Sequence, residues 1–170
     1  MNAGIINFEV YENGTNYMGI ASVNLPQVTK KTFTVNGAGI AGDVDIPVKG
    51  HADTMSVTIQ FIDAPEAAYT LAEERKHTLD IRAAHETYDS TTGTIKVVAY
   101  KHILEVIPKS LGDGTVAPSA AQAASGEYSC LSIKDYIDGK LVRHYDPINY
   151  IDIDSSGIDK LADVRSALGK

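Results

Sequence analysis

The feature that most constrains this chain is a segment in which apolar and polar side chains alternate residue by residue. Residues 52–62 read ADTMSVTIQFI. In a β-strand, successive side chains point to opposite faces of the sheet. The apolar face of this strand carries Met55, Val57, Ile59 and Phe61. The polar face carries Thr54, Ser56, Thr58 and Gln60. Hydroxyls and an amide opposite a packed core suit a hydrated wall better than a binding pocket.

Length and charge limit the classes of function. A chain of 170 residues, 44% of them hydrophobic and 22% charged, is typical of one globular domain over residues 1–170. It carries 15 Lys and Arg against 22 Asp and Glu, a formal net charge of -7. Proteins that grip nucleic acid gain affinity from basic clusters that release counterions. No basic run here is longer than two residues, as in Lys30-Lys31, so tight nucleic-acid binding is not expected.

The single cysteine and the amino terminus indicate synthesis in a reducing cytoplasm. Cys130 has no second cysteine with which to form an intrachain disulfide. A nucleophilic role for its thiol would require an activating base. Residues 1–14 lack a basic region followed by a long apolar run, so no secretory signal is predicted. No apolar run approaches the roughly 18 residues that cross a bilayer, and stable membrane insertion is not expected.

Turn dipeptides divide the chain into short strands. Asn13-Gly14 predicts a hairpin between residues 6–12 and 15–23, because both residue types tolerate positive φ. Asp138-Gly139 predicts a second hairpin between residues 127–137 and 141–145. Further strands are predicted at residues 27–35, 52–62, 78–87, 94–107 and 148–153. The glycine-rich stretch 36–50 is predicted to be a flexible, partly apolar contact loop, and residues 112–126 a mobile loop.

Two helices are predicted. Asp63 and Glu66 have the spacing of a capping box, and an apolar stripe runs on to about residue 75. The second helix is predicted to start at Ser155-Ser156 and to end at Gly169. Its apolar face carries Ile158, Leu161 and Leu168. Many short strands with two helices and no βαβ alternation predict a mainly β, α+β fold: an antiparallel sandwich or barrel with flanking helices.

No motif predicts a catalytic, cofactor-binding or metal site. The five histidines have no paired ligand spacing; they are His51, His77, His85, His102 and His144. Gly37, Gly39 and Gly42 match GxGxxG in letters, but a strand rather than a helix is predicted to follow. Residues 152–163 match several positions of a calcium loop, although a strand precedes them and Asp159 occupies a position that is normally apolar. A serine-capped helix start explains the same residues.

A longer pattern of residues carries a family resemblance. Its amino-terminal part is Asn7-Phe8, Asn13-Gly14, Tyr17, Gly19, Ala21, Leu25-Pro26, Lys31, Gly37-Ala38-Gly39 and Gly42. Its carboxyl-terminal part is Asp138-Gly139-Lys140, Asp146, Asn149, Gly157, Asp159, Leu161, Arg165 and Leu168-Gly169. In this order the residues resemble the major tail tube protein of contractile-tailed bacteriophages and R-type bacteriocins. The match is weakest over residues 89–126.

The resemblance implies a structural role and no enzymatic activity. It implies six copies in a ring, inner strands joined into one β-barrel, and rings stacked into a hollow tube inside a contractile sheath. Such a tube crosses the bacterial envelope as a conduit for DNA or, in a bacteriocin, for ions. Its partners would be the sheath protein, a baseplate or initiator protein and a tape-measure protein. The particle would be a virion tail or an extracellular bacteriocin, assembled in the host cytoplasm.

Two sets of residues are predicted to act in such a tube. The channel lining is predicted to include Thr54, Ser56, Thr58, Gln60, Asp80, Arg82 and Glu86. The contacts between subunits and rings are predicted to include Asn2, Ile5, Ile6, Gly37, Gly39, Ile40, Gly42, Asp43, Asp45 and Val48. Three alternatives stay open: a type VI-like secreted tube, a monomeric β-barrel that binds a small molecule, and an enzyme of unknown type.

Overall fold

A computed structural model describes residues 2–170, which form eleven β-strands and two short helices. The strands are β1 (Asn2–Glu12), β2 (Thr15–Tyr17), β3 (Ile20–Asn24), β4 (Lys30–Val35), β5 (Val44–Ala52), β6 (Met55–Phe61), β7 (His77–Asp89), β8 (Thr94–Gly112), β9 (Ser125–Ile137), β10 (Lys140–Asp146) and β11 (Ile151–Ile153). The helices are α1 (Glu66–Leu71) and α2 (Ala162–Ala167).

Nine of these strands form one sheet. Its main path runs β11-β10-β9-β8-β7-β1-β2. β6 joins it by pairing with β9, and β3 pairs with β6. β4 and β5 form a separate two-stranded hairpin. Every pairing between the strands of residues 2–170 is antiparallel, so the predicted mainly β fold with small flanking helices is confirmed.

Both predicted tight hairpins are present. Asn13 and Gly14 have φ angles of 50° and 81° and connect β1 to β2. Asp138 and Gly139 have φ angles of 53° and 79° and connect β9 to β10. Positive φ at both central positions gives a turn whose twist matches that of the flanking strands. The predicted strand 15–23 is interrupted, because Gly19 takes a φ of 82° and separates β2 from β3.

The core lies against one face of the large sheet. The apolar side chains of β6 are buried there, as the alternation predicts: Met55, Val57, Ile59 and Phe61. Strands β7, β8 and β9 contribute Leu79, Leu104, Val106, Tyr128 and Ile133. Ala68 and Leu71 of α1 are also buried, so this short helix covers part of the same core.

Tyr128 is a buried defect in this core. Its side chain is 1% exposed, and its hydroxyl has no hydrogen-bond partner among the described residues. Burial raises the pKa of this phenol to about 12. An unsatisfied buried hydroxyl costs more than a hydrogen-bonded one contributes. We therefore expect Tyr128→Phe to raise the free energy of unfolding by about 1 kcal/mol in urea titrations.

Tyr145 provides a matched control. It is 2% exposed, and its hydroxyl donates to the Gly50 carbonyl oxygen at 3.1 Å. Tyr145→Phe should lower the free energy of unfolding by about 1 kcal/mol, because the carbonyl loses its donor. If both substitutions destabilise the protein equally, the unpaired hydroxyl is not a defect.

Both helices are shorter than predicted. α1 begins only at Glu66, and Asp63 does not cap it; the Asp63 carboxylate accepts from the Gln122 backbone N–H at 3.1 Å instead. α2 begins at Ala162 rather than at Ser155. The preceding residues form turns in which the side chains of Asp154 and Asp159 accept backbone N–H groups.

The predicted apolar face of the second helix is also wrong. Leu161 is 2% exposed, whereas Ile158 is 67% and Leu168 is 55% exposed. The last predicted strand is shorter too, because residues 147–150 form a turn before β11. The predicted contact loop 36–50 is half strand: residues 44–52 form β5, and the loop is confined to residues 36–43.

Candidate functional site

The polar sides of β6 and β7 face away from the core. On β6 these positions are Ser56, Thr58 and Gln60. On β7 they include Asp80, Arg82 and Glu86, which alternate with buried positions near the start of the strand. Thr54 is exposed and precedes β6 by one residue. All seven predicted lining residues therefore lie on or beside the outer side of the large sheet.

The strand register joins these residues into one surface, which we call the polar face. Thr58 pairs with Glu127 of β9, which pairs with Ser110 of β8. Further along β8, Lys101 pairs with Arg82 of β7. The members of the polar face are Ser56, Thr58, Gln60, Asp80, Arg82, Lys101, Ile103, Glu105, Ile107, Lys109, Ser110, Ser125, Glu127, Ser129 and Lys134, in addition to Glu9 and Tyr11 of β1.

Arg82, Lys101 and Lys109 on the polar face are paired with carboxylates. Asp80 Oδ2 lies 2.7 Å from Arg82 Nη2 and 3.5 Å from Lys101 Nζ. Lys109 Nζ lies 3.2 Å from Glu127 Oε1 and also donates to the Ser56 hydroxyl at 3.1 Å. These cations are therefore partly neutralised, which weakens their attraction for an anion passing over the surface.

The polar face ends where β7 and β8 approach their connecting turn. Glu86 pairs with Val97, and the next pair on the same face is Tyr88 with Ile95. Val97 and Ile95 are each 63% exposed. This face of the long hairpin is therefore apolar at its far end, and Glu86 lies at the boundary between the two surfaces.

The predicted contact residues fall on two separate elements. Ile5 and Ile6 of β1 are 61% and 57% exposed, whereas the side chain of Asn2 lies outside the described residues. Gly37, Gly39, Ile40, Gly42 and Asp43 lie in the loop between β4 and β5. Asp45 and Val48 lie on β5 itself.

Sequence reasoning missed one surface on the β4–β5 hairpin. Phe33 pairs with Ile46, and Val35 pairs with Val44, so the four side chains share one side of the hairpin. Phe33 and Val44 are 50% exposed and Ile46 is 42% exposed. We call this surface the apolar hairpin face. Its opposite side carries Thr34, which donates to Asp45 at 2.7 Å.

A buried ionic cluster joins β1 to the start of β7. The Glu12 carboxylate lies 2.7 Å from His77 Nδ1 and 2.9 Å from Arg75 Nη1, and it also accepts from the Tyr17 hydroxyl. His77 Nε2 lies 3.1 Å from the Glu73 carbonyl oxygen. Burial raises the pKa of Glu12, but its three donors outweigh burial and hold that pKa below its ordinary value.

The sequence alternatives that would carry chemistry do not converge on a site. Burial raises the pKa of the Cys130 thiol to about 12, which leaves almost no thiolate at neutral pH. In the loop that resembles a calcium site, Asp152 pairs with Lys30 and Asp154 with Lys160. No group of three or more His, Cys, Asp or Glu side chains in residues 2–170 is arranged to hold a metal ion. No helix in this range has the length and apolar character needed to cross a bilayer.

Comparison with known proteins decides the family. The family model for phage tail tube protein FII matches residues 2–169. The chain belongs to this family. The tail tube protein of Escherichia phage P2 is 26% identical over 163 residues, which cover 94% of this chain and 93% of that protein. The predicted resemblance to phage tail tube proteins is confirmed.

One solved structure shares the fold of this chain. A chain in the cryo-EM structure of the PVC sheath/tube terminator, from an extracellular contractile injection system in the extended state, matches with a TM-score of 0.52. It is 12% identical, and the match covers 77% of this chain and 94% of that chain. A chain of the sheath-tube complex of that system gives a TM-score of 0.49 at 14% identity over 77% and 86% of the two chains.

Proposed function

We propose that six copies of this tail tube protein form a ring, with the polar face toward the centre, and that rings stack into a hollow tube. The observation that carries the proposal is the polar face itself. It spans several strands and lies opposite the core, and three of its basic groups, Arg82, Lys101 and Lys109, are paired with carboxylates. A channel for a polyanion needs a hydrated wall without free basic clusters.

Open strand edges support ring formation. In the part of the chain that the structure describes, β3 pairs only with β6. β2 covers β1 only over Val10–Glu12, so residues 4–9 have a strand neighbour on one side alone. Unpaired edges favour association with another chain, and a closed ring satisfies them. The exposed contact candidates Ile5 and Ile6 lie on this free stretch of β1.

The tube would work inside a larger particle. The structural relatives belong to sheath/tube assemblies, so we propose a tail sheath protein as a partner, together with baseplate or initiator and tape-measure proteins. The particle would be a virion tail or an extracellular bacteriocin assembled in the bacterial cytoplasm. Its tube would carry DNA or ions through the bacterial envelope, without specific DNA binding.

Electron microscopy tests the tube directly. Negative-stain images of the purified protein over a concentration series should show hollow rings or stacked tubes with six-fold end views. Mass measurement on the same samples should give six protomers per ring. A protein that remains monomeric at high concentration, and that also fails to assemble on cognate baseplates, would contradict the proposal.

The lining can be tested through Asp80, because its carboxylate neutralises two basic groups. Asp80→Asn leaves Arg82 and Lys101 without their shared carboxylate in every subunit. We expect assembled tubes of this variant to retain DNA at low salt. The logarithm of the DNA-binding constant falls linearly with the logarithm of the salt concentration. Each additional phosphate that these cations neutralise should make that slope steeper by about 0.9 for duplex DNA. Retention is measured with fluorescent DNA at two or more salt concentrations.

Asp138→Asn is the matched control. It removes the same charge from the β9–β10 turn, where asparagine tolerates the positive φ of 53°. Its tubes should retain no more DNA than the unmodified tubes. Equal retention by the Asp80 and Asp138 variants would show that net charge, and not the position of Asp80, governs the effect.

A further inference from the structure

The tip of the β7–β8 hairpin extends beyond the strand beside it. The pairing of β8 with β9 ends at Tyr100 and Ile137, next to the turn between β9 and β10. Residues 94–98 of β8 continue past this turn, with β7 as their strand partner in the described part of the chain. At about 3.3 Å per residue, this stretch projects by about 16 Å. We call residues 86–97 the projecting tip.

Apolar side chains are exposed on the projecting tip. Ile95 and Val97 are each 63% exposed, on the side of the hairpin that carries Glu86. Strands twist along their own axes, so this side does not stay parallel to the polar face over the whole length of the hairpin. A projecting element with two large exposed apolar side chains is stabilised when another surface covers them.

A second exposed apolar surface lies beside α1. Met18, Ile62 and Tyr69 are 80%, 59% and 50% exposed. The Ile62 N–H donates to the Gly19 carbonyl oxygen at 2.8 Å, which places Met18 close to Ile62. An added Cβ at Gly19 would lie 3.6 Å from Pro65 Cγ, and Tyr69 lies one helical turn after Pro65. We call Met18, Ile62 and Tyr69 the α1-end patch.

The antiparallel register places these two surfaces at opposite ends of the same strands. β7 begins at His77, shortly after α1, and ends at Asp89, where the turn of the projecting tip begins. In a ring that closes through strand edges, as proposed above, the strands run between the two ends of the ring, with a tilt of about 35–45° in β-barrels. The turns at the strand ends then face the neighbouring rings. A projecting tip therefore enters the space of the next ring, at the end where that ring presents α1.

We propose that, in stacked rings, the projecting tip of one copy packs on the α1-end patch of a copy in the next ring. The inference rests on the proposed tube and assigns its ring-to-ring contact to two specific surfaces. Ile95 and Val97 of one copy lie against Ile62 and Tyr69 of the other. Because the two surfaces differ, the contact is head-to-tail and repeats along the stack.

Replacing Val97 by aspartate separates stacking from ring formation. Val97→Asp places a charge in the apolar contact, so the yield of stacked tubes falls by about tenfold or more while six-protomer rings still form. Electron microscopy counts tubes and rings, and mass measurement gives the protomers per ring. Ile148→Asp is the matched control, because Ile148 is 62% exposed and lies in the turn between β10 and β11, outside both surfaces. Its tubes stack normally.

Disulfide trapping within assembled tubes shows which surfaces meet. The full-length protein is used, because its natural Cys130 is buried. Val97→Cys is combined in turn with one further substitution in the α1-end patch: Met18→Cys, Ile62→Cys or Tyr69→Cys. Copper phenanthroline then oxidises the paired thiols where the two Cα atoms lie within about 7 Å.

The length of the linked chains distinguishes stacking from contacts within a ring. Links between rings run along the tube, so at least one pair gives a ladder on non-reducing gels that extends beyond six copies. Links within a closed ring end at six copies. Val97→Cys combined with Glu127→Cys, on the polar face, is the control and gives no ladder.

The outcomes separate the two proposals. Failure of the unmodified protein to form rings or tubes, even on cognate baseplates, would overturn the proposed function and this contact with it. In tubes that form normally, ladders that are absent or end at six copies would overturn the contact alone. Normal stacking by Val97→Asp would overturn it as well, and a loss of sheath binding by those tubes would assign the projecting tip to the sheath protein instead.

Discussion

Replacing Glu12 by alanine should lower the free energy of unfolding by about 3–5 kcal/mol, the largest effect that we expect from a single substitution. The side chain of Glu12 is 3% exposed, and it is the shared acceptor for His77, Arg75 and Tyr17. Its removal leaves the fully buried His77 without the carboxylate that faces Nδ1. Urea titration at neutral pH measures the loss, which is a large share of the stability of a typical domain.

Glu73→Ala is the control for this prediction. The Glu73 carboxylate is 58% exposed and pairs with the same Arg75, while its backbone carbonyl, which faces His77, is retained. Removal of an exposed partner should change the free energy of unfolding by no more than about 1 kcal/mol. If the two alanine variants lose equal stability, the buried cluster has no special role.

The pH dependence of stability should follow from Glu12 as well. Its pKa is lower in the folded chain than the ordinary value of 4.5. The resulting stability is therefore fully present above that value, and it is lost as the pH falls through the lower, folded-state pKa. Asp135, with His102 and Arg143 as partners, has a lowered pKa and acts in the same direction. Unfolding titrations from pH 7 to strongly acidic pH should show a shallower decline for Glu12→Ala.

The second large effect is expected at Gly50, at the base of the β4–β5 hairpin. Gly50 has a φ of 75°, and an added Cβ would lie 2.4 Å from Leu161 Cδ2. Leu161 is 2% exposed and has little room to move. Gly50→Ala should lower the free energy of unfolding by about 2–5 kcal/mol, from backbone strain and overpacking together.

Gly42→Ala tests whether the loss of stability is specific to position 50. A Cβ at Gly42 would meet no atom within 4 Å, and the residue does not have a left-handed φ. Its effect on the free energy of unfolding should lie within about 0.5 kcal/mol. A loss at Gly42 as large as that at Gly50 would mean that the hairpin tolerates no added side chain, whatever the space.

The sequence correctly predicted those elements whose conformation depends only on residues close together in the chain. The alternation in β6 and the two turn dipeptides are properties of a few consecutive positions, and the structure confirms them. The same alternation marks the apolar hairpin face, in TFTV and VDIP, but the glycines between them favoured a loop over a hairpin. The alternation that is typical of a strand was therefore present in β5, but the glycine-rich composition of residues 36–50 led to the prediction of a loop.

Long-range partners explain most of what the sequence could not predict. Asp63 has the correct spacing to cap a helix, yet the backbone of Gln122 engages it from far along the chain. Glu12 and His77 are 65 residues apart, and no local pattern brings them together. The polar face has the same origin, because strands that are distant in the sequence, such as β6 and β9, must pair before its residues share one surface.

The pairing of β6 with β9 also has a consequence for the order of folding. β7 and β8 are joined by a short turn and can zip together as a local hairpin, which is fast. β6 must instead find β9 across a loop that joins Met55 to Cys130, and closing such a loop carries an entropic cost before any contact offsets it. We therefore expect the wall of the proposed channel to be completed late, after the long hairpin that flanks it has formed.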